Sequence, residues 1–243
     1  MNDTGTDHLV HDIGDAVVQD ANNSEGTGVW ANLNAVLEHI PAPSLTSAHY
    51  LRVASANVVQ RRAINRTLGT VVPEEINLPS EQKPVFLEDL RQAVYTAVLT
   101  CFIQGLDLLS SKSDREGWGI NLEEVLRIWR AGCIIKSDYI TELFERHYAQ
   151  HPGQHPLTGP EVCAEIKKNW PSLKRTVLKA VQVDAHVPAL CSSLDYLKYI
   201  GSTDLPTSFL EAQLDAFGAH GYELKTEQND DMSKGKRHSE WSQ

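Results

Sequence analysis

At 243 residues the chain has length for one or two domains, and such a chain buries roughly 70–75% of its unfolded surface without disulfide staples. An apolar fraction of 41%, with 15 Gly and 11 Pro, excludes collagen-like, low-complexity and largely disordered chains. Lys and Arg number 22 against 32 Asp and Glu, and the resulting net charge of −10 repels a phosphate backbone, which argues against a nucleic-acid partner.

The N-terminus carries neither a basic stretch nor an apolar one, so no signal peptide is expected. Gly26-Thr27-Gly28 then precedes a helix predicted at about 29–40, with Thr27 as its cap. Ser44 to Leu68 reads as one helical stretch with a basic end at Arg61, Arg62 and Arg66, where cations suit the helix dipole. Residues 69–82, with Pro73, Pro79 and several carboxylates, read as a connector despite Val71 and Val72. From Phe86 to Leu109 apolar residues recur every three or four positions, which predicts a long core-facing helix. Further helices are expected at about 121–131, 136–149, 160–168, 171–184, 189–200 and 208–222, with Pro171 opening one of them. After Leu224 the composition turns polar, giving a division into a helical domain, 1–224, and a tail, 225–243.

No strand pattern repeats, so the fold class is all-α. No apolar run approaches the roughly 18–20 residues of a membrane span, so no membrane partner is expected. Cys101, Cys133, Cys163 and Cys191 are far apart in largely apolar surroundings, which reads as buried reduced thiols in a cytoplasmic protein. The sequons at Asn2, Asn22 and Asn65 then carry no glycan. G-x-G-x-x-G, P-loop, G-x-S-x-G and H-E-x-x-H patterns are all absent, so neither a dinucleotide site nor a catalytic residue is assigned to this chain.

Four segments invite a functional reading. In Gly26-Thr27-Gly28 the glycines let backbone N–H groups approach an anion at a helix N-terminus. His147, His151 and His155 recur every four residues, but Pro152 and Pro156 break the helix that would gather them, so they read as a solvated helix end rather than a metal site. Trp129 to Ser137 reads as a helix junction that packs Trp129, Ile134 and Ile135 in the core, with Gly132 at the tight turn. His220, in Phe217-Gly218-Ala219-His220-Gly221-Tyr222-Glu223-Leu224, reads by itself as a packed side chain.

Taken in order, Glu25-Gly26-Thr27-Gly28-Val29-Trp30, Phe86-Leu87-Glu88-Asp89-Leu90-Arg91, Trp129 to Ser137, Phe217 to Glu223 and Gly235 to Trp241 are not generic. From about Asp7 to Trp241 the chain resembles the C-terminal helical domain of 6-phosphogluconate dehydrogenase. The resemblance implies a helical homodimer whose tail reaches into the partner subunit. It also implies a whole enzyme that oxidises 6-phosphogluconate with NADP, releasing carbon dioxide and ribulose 5-phosphate. The family's catalytic lysine, asparagine and glutamate, and its Rossmann domain, lie upstream of the matched region. Three substrate-binding residues carry over: Thr27, Arg52 in Tyr50-Leu51-Arg52, and His220. Two of the family's phosphate-binding cations do not, because Glu25 replaces a lysine and Leu214 replaces an arginine. A unit-charge contact at 4 Å near a surface is worth about 4 kcal/mol gross, so the reversal at Glu25 predicts weak binding of the sugar phosphate.

Three readings follow from this pattern. The favoured one is a diverged, non-catalytic dimer module, a pseudoenzyme that takes a sugar acid or sugar phosphate or nothing, with no cofactor of its own. The second is a fragment or component of an active dehydrogenase whose Rossmann domain lies upstream or on another chain. The third is a remnant whose core still folds.

Overall fold

A computed structural model describes residues 13–17, 26–69, 72–226 and 237–241. Asn2, Asn22, Glu25, Val71 and residues 227–236 of the tail lie outside the described residues. The chain divides into two compact units, Met1–Leu197 and Lys198–Gln243.

Among the described residues the first unit is built of helices α1 (Thr27–Leu37), α2 (Pro43–Ala56), α3 (Val58–Leu68), α4 (Lys83–Glu116), α5 (Leu122–Gly132), α6 (Asp138–Gln150), a 3-10 turn at Pro156–Thr158, α7 (Pro160–Gln182) and most of α8 (Pro188–Ile200). The second unit holds α9 (Ser208–Gly218) and a single antiparallel bridge between Tyr222 and Arg237. The fold is all-α, as the periodicity predicts.

The core forms where α7 lies along α4. Leu99, Ile103 and Leu106 of α4 and Val162 and Leu173 of α7 are fully buried, each such side chain contributing about 1.5–3 kcal/mol by leaving water. Phe102 stacks on Phe144 of α6 at 6.0 Å and meets Trp129 of α5 edge-on at 5.8 Å. Asn121 caps α5 by accepting from the N–H groups of Glu123 and Glu124, and Ser137 caps α6 through Ile140. Outside the core, Asp89 of α4 binds Arg175 of α7 through both oxygens (2.8 and 2.5 Å) and accepts from Ser172 at 2.8 Å.

Several boundaries differ from the sequence reading. The 44–68 stretch is two helices, because Asn57 leaves the helical region (φ −84°, ψ 69°) and turns its side chain to cap the N–H of Gln60. The 160–168 and 171–184 segments are one helix. Pro171 removes one backbone hydrogen bond, but Val162, Ile166, Leu173, Val177 and Ala180 keep a continuous buried stripe on both sides of it. The long helix extends to Glu116, where Gly117 supplies a left-handed cap (φ 67°). Helix α9 stops at Gly218, four residues before the expected end, because Ala219 turns left-handed (φ 49°).

Contrary to expectation, α4 is long and apolar enough to cross a bilayer. However, 56% of its most apolar window is buried within the protein, as befits a core helix. The Ile134–Ile135 pair does not pack inside: Ile134 is 100% exposed on the turn between α5 and α6. The four cysteines form no disulfide among the described residues and are half-buried rather than fully buried.

Candidate functional site

At the start of α1 the cap position is Gly26, which supplies no side-chain cap, and Thr27 is the first helical residue rather than the cap. The first-turn N–H groups of a helix have no intrahelical partner, and their dipole favours an anion. Thr27 is exposed beside them.

Helix α2 is held opposite this turn by a buried polar lattice. Gln104 of α4 accepts from the Ser44 N–H at 3.1 Å and donates to the Ser44 hydroxyl at 3.0 Å, while the Ser44 and Ser193 hydroxyls meet at 2.9 Å. From that anchor α2 brings His49 against Gly28 so closely that a Cβ on Gly28 would lie 2.8 Å from Nδ1. Gly28 is therefore a packing requirement of the α1–α2 approach. His49 and Asn32 are both only 9% exposed, and neither His49 Nδ1 nor Asn32 Oδ1 has a hydrogen-bond partner. Arg52 lies one turn beyond His49, about 5 Å along α2, and is exposed. The contact fixes α1 against α2 at Gly28 and His49, one residue after Thr27 and three before Arg52.

His220 belongs to the second unit and is exposed on the loop after α9, not packed as the sequence alone suggested. Its ring folds over Gly218, where a Cβ would meet Nε2 at 2.7 Å. The loop is built on Asp215, which is fully buried. Asp215 Oδ1 accepts from Gly221 N–H at 2.9 Å and faces His238 Nδ1 at 3.0 Å; Oδ2 accepts from Ser239 N–H at 3.0 Å and Trp241 Nε1–H at 2.7 Å. Burial alone would raise this carboxyl, but the hydrogen bonds from Trp241, His238, Ser239 and Gly221 outweigh it and hold it well below the usual carboxylate range. Leu214, one residue earlier, is half exposed and offers no charge.

Two of the three regularly spaced histidines, His147 and His155, hold backbone of the 150–158 turn. His147 is buried rather than solvated, and Nε2 lies 3.0 Å from the Gln154 carbonyl. His155 Nδ1 accepts from the Leu157 N–H at 3.2 Å, and Nε2 lies 3.9 Å from Asp107. Among the described residues no group of three His, Cys, Asp or Glu side chains could hold a metal.

A family model described as 6-phosphogluconate dehydrogenase, C-terminal domain, matches residues 2–241. The chain belongs to this family. It is 40% identical over 237 residues to the decarboxylating 6-phosphogluconate dehydrogenase of Emericella nidulans, a match covering 96% of this chain and 48% of the relative. It is 31% identical to a chloroplastic isoform from Spinacia oleracea, covering 93% of this chain and 41% of that one. A solved Plasmodium falciparum 6-phosphogluconate dehydrogenase, studied in its apo form and with NADP+ or 6-phosphogluconate, superposes with a TM-score of 0.81. The two are 29% identical, and the match covers 96% of this chain and 47% of that chain. The chain thus spans about half the length of the 6-phosphogluconate dehydrogenases it matches.

Neither His49 nor Asp215 was singled out by the sequence reading. His49 sits three residues before Arg52 in an otherwise ordinary helix pattern. Asp215 had a detectable signal, a lone carboxylate between Leu214 and Phe217 just ahead of the His220 loop.

Proposed function

We propose that this chain is the substrate-contacting and dimerising half of a 6-phosphogluconate dehydrogenase fold, and that by itself it is non-catalytic. The observation that supports the reading is the close approach of α1 to α2 at Gly28 and His49, with Thr27 on the first turn of α1 and Arg52 one turn along α2. A helix N-terminus, a hydroxyl and a guanidinium are groups of the kind that bind an anion. In this reading Thr27 and Arg52 hold the acid or phosphate group of a sugar derivative, and His220 of a partner subunit closes the site. No residue is assigned as catalytic, metal-binding or cofactor-binding, because the general acid–base groups and the NADP-binding half are not among the residues matched.

The proposal treats residues 1–224 as the helical domain and 225–243 as a tail whose residues 237–241 pack on Tyr222 and Asp215 of the same chain and reach the partner of a homodimer together with that loop. Four cysteines with no disulfide among the described residues support a cytoplasmic setting. Purified chain supplied with 6-phosphogluconate and NADP+ is expected to form no NADPH, and to bind the sugar phosphate weakly by calorimetry. Measurable turnover overturns the reading.

The coverage of about half of each relative favours a second reading, in which the chain is one component of an active dehydrogenase. Mixing it with the nucleotide-binding half of a relative would then produce NADPH where neither part does alone.

A further inference from the structure

The second unit contains a latch whose parts all converge on one side chain. Asp215 is fully buried, and a buried carboxylate is tolerated only when its lone pairs are satisfied. Four groups meet this one, two on each oxygen. Only the Gly221 N–H comes from the His220 loop; the other three come from residues 238–241. The same segment is stitched to the loop a second time, since Tyr222 and Arg237 exchange both backbone hydrogen bonds (2.9 and 3.1 Å) and the Tyr222 hydroxyl meets Ser239 Oγ at 2.6 Å.

His220 sits between the two fixed points of this arrangement. On one side Ala219, left-handed, donates its N–H to the Asp215 carbonyl at 2.8 Å. On the other Gly221, with φ 79°, donates to the Asp215 side chain. The backbone on either side of His220 is therefore pinned by one residue, while its imidazole lies exposed over Gly218. If residues 237–241 leave, Asp215 keeps one donor out of four. Water must then enter or the carboxylate must move, and either event loosens the Gly221 anchor.

We propose that Asp215 is a positioning residue that fixes His220 only when the 237–241 segment is docked, so that docking of the C-terminal segment sets the orientation of the His220 imidazole. The proposal rests on the reading of His220 as a substrate contact only for its consequence in binding; the geometry of the latch is independent of it. Asp215 acts through Gly221 and touches no ligand.

The test uses the full chain, a truncation ending at residue 236, and the single substitution Trp241→Phe. The Phe variant removes one donor from Asp215 and leaves an aromatic ring in place. His220 ring resonances and Gly221 amide exchange are read by NMR without ligand, and 6-phosphogluconate affinity is read by calorimetry. Trp241→Phe should speed Gly221 exchange about tenfold, roughly what the loss of one hydrogen bond of ordinary net strength carries. Truncation should move the His220 ring resonances toward those of free histidine, and a peptide of residues 236–243 added in trans should return them. Amide resonances of the Thr27 turn should not move. Unchanged His220 and Gly221 signals in both variants overturn the proposal. If truncation unfolds the second unit, the Trp241→Phe exchange rate alone decides, and an unchanged rate overturns it. A shifted His220 with no sugar-phosphate binding by any form upholds the latch and removes the substrate reading.

Discussion

Gly28 shows how one missing side chain shapes the candidate site. An alanine there would place Cβ 2.8 Å from His49 Nδ1, a distance at which α1 and α2 must separate or the imidazole must move. His49 is nearly buried and has no open space to swing into at low cost. Gly28→Ala is therefore expected to lower stability by about 1–3 kcal/mol, the range for overpacking a close contact, and to weaken any anion binding at Thr27 and Arg52. The double variant Gly28→Ala with His49→Ala should recover most of the lost melting temperature, since it removes the collision from the other side. If the single variant melts like wild type, the close approach of α1 and α2 does not govern the candidate site.

The Gly-Thr-Gly pattern was legible in the sequence as a place where backbone and anion could meet. Its reason was not, because His49 lies 21 residues away and only packing brings the two together. Arg52 and His220 are candidates through family resemblance alone, and no local pattern marks either. The sequence marks Asp215 only as a carboxylate among apolar neighbours; its contacts depend on the 237–241 segment folding back onto it, which that local pattern does not state.

At the scale of elements, the long apolar periodicity gave α4 and its role, since a stripe that continues for many turns needs a partner of similar length. The partner, α7, was harder to read. Pro171 looked like a start signal, because local rules weigh the lost hydrogen bond and cannot weigh the buried stripe that carries the helix past it. The break at Asn57 was missed for the converse reason: apolar spacing continues through it, while its side chain is better used as a cap.

The α4–α7 pairing is also tied outside the core by Asp89, Arg175 and Ser172. Arg175 draws the Asp89 carboxyl below its ordinary value; partial burial pulls the other way, and Ser172 assists Arg175. A depressed carboxyl contributes stability that is fully present above its unfolded pKa, near 4, and is lost as pH falls through the lower folded value. Asp89→Asn should therefore cost about 1 kcal/mol at neutral pH, a modest figure because Arg175 is more than half exposed. The cost should shrink as the medium is acidified below about pH 4, where the wild-type carboxylate begins to protonate as well. Urea denaturation of both proteins across that range reads the effect directly, and a pH-independent difference would mean that Asp89 acts by packing rather than charge.

At the scale of the whole molecule, the unexplained feature is the quantity of apolar surface left uncovered in the first unit. Helix α1 presents Trp30, Leu33, Val36 and Leu37, all more than half exposed, at spacings that put them along one side. Helix α4 adds Val85 and Leu87, and the α5–α6 turn adds Ile134. Isolated exposed apolar side chains are ordinary, but a helix stripe of four is not. Each such side chain gains about 1.5–3 kcal/mol on burial, so covering the α1 stripe twice in a symmetric pair offsets the several kcal/mol of association entropy. The homodimer proposed above would supply the cover, because a two-fold pairing covers the same stripe on both partners at once. Light scattering at micromolar concentration should accordingly return twice the mass of one chain. Leu33→Glu, in the middle of the stripe, should shift the equilibrium toward single chains without changing helix content by circular dichroism. A wild-type chain that scatters as a monomer at that concentration would leave the α1 stripe to a different partner and remove the homodimer from the proposed function.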